Sequence, residues 1–128
     1  MRDHLRILIA DDDASVRQGA SELLAGLASE VVEAETGDHA LTILTGGPIH
    51  LAVLDYHMPG RTGLEVFGEL RRQELSVPCI LWSGDAGEGI AAMALDQGAS
   101  AFLRKPVQPA LLRQEVQRVL ELHWGRAS

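Results

Sequence analysis

Three consecutive carboxylates, Asp11-Asp12-Asp13, directly follow the apolar run Leu5-Arg6-Ile7-Leu8-Ile9-Ala10. A fourth acid, Asp55, closes a second run, Leu51-Ala52-Val53-Leu54. A hydroxyl, Ser83, closes a third, and Lys105 stands two residues past a fourth, Ala101-Phe102-Leu103. Clustered carboxylates repel one another, and each has its pKa raised unless a cation lies among them. Oxygen ligands in this number suit a hard divalent ion, and Mg2+ typically takes one or two carboxylates together with waters and a phosphate. An ammonium opposite them neutralises one acid or holds a phosphoryl oxygen as a point charge. Ser83 can donate to another such oxygen. A carboxylate, a divalent ion, an ammonium and a hydroxyl are what in-line phosphoryl transfer to an aspartate requires. Of the eleven basic residues Lys105 is the only Lys, so this position calls for a compact ammonium rather than a planar fork.

These residues are separated by a repeating pattern. Leu5–Ala10 reads as a strand, and Val16, Ala20, Leu23, Leu24 and Leu27 form the apolar stripe of a helix. Val31–Ala34 is a second strand, and the helix marked by Ala40, Leu41 and Leu44 ends at Gly46-Gly47-Pro48. Leu51–Leu54 is the third strand, and Thr62-x-x-Glu65 is a capping box opening a helix through Leu64, Phe67 and Leu70. Val77–Trp82 is the fourth strand, followed by a loop with Gly84, Gly87 and Gly89 and a weak helix through Ile90, Met93 and Ala94 that stops at Gly98. After the fifth strand, Ala101–Leu103, Pro109 suits the first turn of a last helix lined by Leu112, Val116, Val119, Leu120 and His123 and ending near Leu122. Near-continuous apolar strands alternating with helices mean an α/β fold, a parallel sheet covered on both faces. In such sheets ligands bind beyond the carboxyl ends of the strands, the rim where Asp11, Asp12, Asp55, Ser83 and Lys105 fall.

The bulk composition narrows the function classes. The chain of 128 residues is the size of one domain, with the apolar and charged fractions (46% and 23%) of a globular protein. A formal charge of −7 argues against sequence-independent binding to nucleic acid or to anionic membrane. No apolar run approaches a membrane span, and the opening segment is too short for a signal peptide. The lone Cys79 allows no intramolecular disulfide, which fits a reduced cytoplasm.

The chain resembles the receiver domains of bacterial response regulators, the chemotaxis regulators among them. The resemblance rests on Ile7-Leu8-Ile9-Ala10-Asp11-Asp12-Asp13, Leu54-Asp55-Tyr56-His57-Met58-Pro59-Gly60, Leu81-Trp82-Ser83-Gly84 and Lys105-Pro106. It implies a doubly wound, flavodoxin-like (βα)5 fold of strand order 2-1-3-4-5 over residues 1–122, with 123–128 a tail or the start of a linker. It implies that Asp55 is the phosphoacceptor, that Asp12, Asp55 and the backbone carbonyl of His57 are Mg2+ ligands, and that Asp11 acts in the same pocket through water. Ser83 and Lys105 would be the phosphate sensors and Phe102 the switch aromatic. The implied partners are a sensor histidine kinase or histidine phosphotransfer protein and an output partner or domain. A phosphorylation-dependent homodimer is compatible with it. On this reading the chain is a signalling phosphoacceptor rather than an enzyme.

Asp13 is better read as the N-cap of the first helix than as a ligand, and Trp82 as core packing. His57 and Asp85 each stand two residues past an acceptor-site residue, at the mouth of the site, where they would tune dephosphorylation. Val107 follows Lys105-Pro106 where the family usually has Phe. The stretch Gly98–Phe102 lacks the acidic pair common in regulators that dimerise through helix 4, strand 5 and helix 5, and Glu115 stands where those regulators usually have Arg. The alternative function is a phosphatase of haloacid-dehalogenase type, suggested by Asp11-x-Asp13 after a strand. Such an enzyme needs an acidic pair after the lysine, and beyond Lys105 only Glu115 and Glu121 remain.

Overall fold

The computed structural model describes residues 4–84 and 88–125. Its elements alternate: β1 (Arg6–Ala10), α1 (Ala14–Leu24), β2 (Glu30–Ala34), α2 (Gly37–Gly46), β3 (Leu51–Asp55), α3 (Gly63–Arg72), β4 (Cys79–Ser83), α4 (Glu88–Asp96), β5 (Ala101–Arg104) and α5 (Pro109–Trp124). The strands form one parallel sheet in the order β2-β1-β3-β4-β5, as the resemblance implies.

Successive side chains on a strand point to opposite faces, so each strand feeds two cores. Ile7, Ile9, Val53, Ile80, Trp82 and Leu103 pack with Leu24 of α1 and Leu112, Val116 and Leu120 of α5. Leu8, Ala10, Ala52, Leu54 and Leu81 pack with Leu44 of α2, Phe67 and Leu70 of α3 and Ala94 of α4. Burial on both faces is why the strands read as unbroken apolar runs.

Several boundaries differ from the sequence expectation, each for a local reason. The strand expected from Val77 begins at Cys79, because Pro78 has no N–H to donate to the ladder. Ser83 lies inside β4 and Asp55 inside β3, so both are held by sheet pairing rather than by loops. Helix α1 stops at Leu24, and Leu27 reaches the core from the following turn, its N–H donating to the Leu24 carbonyl. In α4 the buried position is Ala94, while the neighbouring Met93, about 100° round the helix, is 47% exposed. Helix α5 continues past Leu122 to Trp124, whose Nε1–H donates to the His50 carbonyl at 2.7 Å. His123 in that last turn is exposed rather than part of the packed face.

The Thr62–Glu65 capping box forms in full and fixes the start of α3. Its first residue, Gly63, donates its N–H to the Tyr56 carbonyl at 3.0 Å. A Cβ there would stand 2.5 Å from the Asp55 carbonyl oxygen, so only glycine lets α3 close against the end of β3. Gly68, on the same helix, has open space where its Cβ would be. Gly63→Ala should therefore destabilise the fold by roughly 1–3 kcal/mol through overpacking. Gly68→Ala should be neutral or stabilising by up to ~1 kcal/mol. Urea unfolding of the two variants checks the contrast, and equal effects would contradict it.

Candidate functional site

The first strand delivers its acids along its own pleat. The Asp11 N–H donates to the Ala34 carbonyl at 3.0 Å, which extends the β1–β2 ladder by one residue. Asp11 thus continues the phase of Ile7 and Ile9 and is fully buried, whereas Asp12 is exposed. Asp13 caps α1, its carboxylate accepting from the Ser15 and Val16 N–H groups at 2.9 and 3.3 Å. The capping reading of Asp13 is therefore correct.

Asp55 ends β3 in the phase of Leu51 and Val53, only 4% exposed. Lys105 extends β5 in the same way, its N–H donating to the Ser83 carbonyl at 2.9 Å. Its ammonium lies 2.6 Å from Asp11 Oδ2 and 3.4 Å from Asp55 Oδ1. Asp11 Oδ1 accepts from the Asp13 N–H at 2.9 Å, so both oxygens of this buried carboxylate are bonded.

One carboxylate oxygen from each of Asp11, Asp12 and Asp55 lies within 4.8 Å of the other two, the one such group of potential metal ligands among the described residues. The set is all oxygen, two of its members are buried and one opens to solvent, which fits a hard divalent cation that keeps some of its waters. Glu115, which a phosphatase would need at the metal, instead pairs with Arg118 at 3.0 Å.

The electrostatics follow from this crowding. Burial pushes the Asp55 carboxyl up to about 6, and the neighbouring Asp11 charge adds to the rise. Lys105 and a backbone hydrogen bond from His57 pull it partly back. Burial works against the Lys105 ammonium, but Asp11 and Asp55 outweigh it and hold its pKa above the ordinary value. Burial pushes the Cys79 thiol up to about 12, which leaves it inert.

Ser83 is buried at the end of β4, in the opposite phase to Trp82 and therefore on the α2–α4 side. Phe102 is half-buried and packs into the same side. His57 is exposed, its ring set edge-on against Tyr56 with centroids 4.8 Å apart. Asp85 lies outside the described residues.

Two contributors escaped the sequence reading. Arg17 donates to the Asp11 carbonyl at 2.7 Å while pairing with Glu33 at 2.9 Å, which ties the acidic loop to α1 and β2. No spacing rule singles out Arg17, because its partner is a main-chain atom. Trp82 is buried as expected, but its ring also lies 5.1 Å from the Lys105 ammonium.

A family model described as the response regulator receiver domain matches residues 7–117. The chain belongs to this family. Among relatives of the receiver domain, the cyclic di-GMP phosphodiesterase response regulator RpfG of Xanthomonas campestris is 36% identical over 122 residues, covering 92% of this chain and 32% of that protein. The transcriptional activator protein ExaE of Pseudomonas putida is 34% identical over 119 residues, covering 91% of this chain and 56% of that protein. The chain thus spans about a third to just over half the length of these curated relatives. A CheY-like receiver domain protein from Methanospirillum hungatei superposes with a TM-score of 0.87 at 27% identity, covering 94% of this chain and 96% of that one. Two-component signalling is therefore the setting, and the acidic pocket fits a phosphoacceptor role.

The raised Asp55 pKa sets a pH dependence of stability in the metal-free receiver domain. The fold lifts this group from 3.8 to about 6, so its favourable contribution is full below the ordinary carboxylate pKa and is lost as pH rises through about 6. Asp55→Asn should stabilise the chelator-treated protein by up to about 2 kcal/mol near pH 7.5 and change it little near pH 4. Urea unfolding at the two pH values measures this. No gain at the higher pH would contradict the assignment.

Proposed function

We propose that this receiver domain accepts a phosphoryl group on Asp55 from a phosphohistidine of a sensor kinase or phosphotransfer protein. The observation that carries the proposal is the buried Asp55 carboxyl at the end of the central strand, 3.4 Å from the only lysine in the chain. An Asp55 carboxylate oxygen attacks phosphorus in line, the new O–P bond forms as the donor's N–P bond breaks, and the imidazole leaves. A pKa near 6 leaves Asp55 ionised at neutral pH yet more basic than a surface carboxylate.

The Asp11, Asp12 and Asp55 carboxylates and the His57 carbonyl would hold Mg2+, with Asp11 acting through water. When bound, the ion neutralises charge on the transferring oxygens. Lys105 and Ser83 grip those oxygens from the two faces of the sheet. Phosphorylation adds about −1.5 to −2 charges, which draws both residues inward. Phe102 then turns into the space that Ser83 leaves, supported by their common pleat phase, and alters the surface formed by α4, β5 and α5.

That surface would address an output partner or output domain, and the curated relatives extend well beyond the stretch that this chain matches. Two copies pairing after phosphorylation is compatible with this output. The net charge of −7 favours output through protein contacts over direct nucleic-acid binding by this domain. A cytoplasmic setting fits the buried free thiol, and no helix among the described residues is long and apolar enough to cross a membrane.

Incubation with a small phosphodonor and Mg2+ should add one phosphoryl group, and Asp55→Asn should abolish it. Labelling that survives in Asp55→Asn but is lost in Asp11→Asn would overturn the proposal in favour of a phosphatase-type nucleophile.

The lifetime of the acyl phosphate gives a second test. His57 is exposed two residues past the acceptor, and we give it a part in tuning the access of water. Asp85, two residues past Ser83 in sequence, carries the matching expectation but lies outside the described residues. We assign His57 a shielding role, because it is a bulky, exposed ring two residues past the acceptor, set edge-on against Tyr56. His57→Ala should speed dephosphorylation several-fold, on the order of 1 kcal/mol in the barrier. Slower decay in the variant would instead make His57 a general base.

A further inference from the structure

Trp82 stands in an unusual position for a core residue. It pairs in register with Asp55 on one side and with Leu103 on the other, and it directly precedes Ser83. Its side chain points to the α1/α5 side of the sheet and is 3% exposed. Lys105 follows β5 in the phase of Ala101 and Leu103, the same side. The pleat therefore aims the lysine stem and the indole at one another, and the ammonium lies 5.1 Å from the ring centroid. This is within cation–π range, and Trp offers the strongest platform of the aromatic side chains.

Packing alone does not account for this choice. The Trp82 Nε1–H is buried with no hydrogen-bond partner among the described residues, so an aliphatic side chain would spare the core an unpaired donor. Beside the indole runs a groove of about 820 Å3, lined by Gly19 of α1 and by Lys105, Pro106 and Val107. The lysine stem thus borders open space and is not confined by walls on every side. Attraction, more than steric confinement, must fix its ammonium.

We propose that Trp82 is a positioning residue for the acceptor site: its indole face holds the Lys105 ammonium between Asp11 and Asp55 and yields it when phosphoryl oxygens arrive. Trp82 then joins the two sensors through one strand end, with Ser83 on one face and the lysine platform on the other. The proposal deepens the reading of Lys105 as a phosphate-sensing residue and rests on it. Its central contact exists before phosphorylation, so it can be tested apart from that reading.

The first arm uses the metal-free protein and no phosphodonor. In a Trp124→Phe background Trp82 is the only tryptophan, and Lys105→Met should shift its emission intensity. A double-mutant cycle of Trp82→Leu with Lys105→Met in urea unfolding should show the two positions coupled, by roughly threefold to tenfold in the unfolding constant. The second arm measures labelling by a small phosphodonor in the presence of Mg2+. Trp82→Leu should slow labelling roughly threefold to tenfold, and Trp82→Phe, which keeps a weaker platform, should recover part of the loss.

Unchanged Trp82 emission in Lys105→Met, or additive effects in the cycle, would overturn the proposal. So would equal labelling rates in the Leu and Phe variants. Should Trp82→Leu fail to fold, the emission measurement and a cycle with Trp82→Phe decide the matter, since neither needs the leucine variant. Absence of labelling in the wild type, with the emission shift and coupling intact, would count against the acceptor reading and leave the platform standing.

Discussion

Three carboxylates meet at one rim of a dry parallel sheet, and two of them, Asp11 and Asp55, are almost wholly removed from water. Such a cluster is electrostatically unfavourable unless a cation is built into it. The Lys105 ammonium fills that role by contacting both buried acids at once. Much of the local architecture holds these groups at short range against their repulsion. Arg17 fastens the Asp11 carbonyl, Asp13 donates its N–H to the Asp11 carboxylate, and Gly63 admits α3 close behind Asp55. Burial, with the Asp11 charge adding to it, pushes the Asp55 carboxyl up to about 6 despite its lysine.

The pleat divides the site into two halves with different connections. Asp11, Asp55, Lys105 and Trp82 share the phase of the core under α1 and α5, while Ser83 and Phe102 share the phase of the core under α2–α4. One half holds the charges and the other faces the helices whose arrangement a partner could read. The sheet joins the two halves, since β3 is bonded to β1 and β4, and β4 to β5. The receiver family is thus matched in its fold and in the acidic pocket at the strand ends.

The fold was largely legible because each layer leaves a distinct periodicity. Doubly buried strands gave continuous apolar runs, and α1, α3 and α5 gave helical stripes. The misplacements came where local and tertiary preferences diverge. Met93 carries no mark distinguishing it from a core residue, and only the way α4 docks turns Ala94 inward in its place. Trp124 looks like part of a tail until the His50 carbonyl is found within its reach.

The sequence alone determined which chemical groups gather at the rim. Each strand is followed, or ended, by a residue whose type is fixed, and parallel pairing obliges all the strand ends to share one edge. Residue order also settled that Asp13 caps a helix, since an N-cap is a local arrangement within four residues. Tertiary structure decided everything that depends on distance between strands: that Lys105 reaches Asp11 more closely than Asp55, that Arg17 grips a main-chain oxygen, and that an indole lies beside the ammonium. Sequence periodicity specifies the face on which a side chain emerges. How near it comes to a residue from another strand depends on register and packing, which the chain acquires only when all five strands are joined.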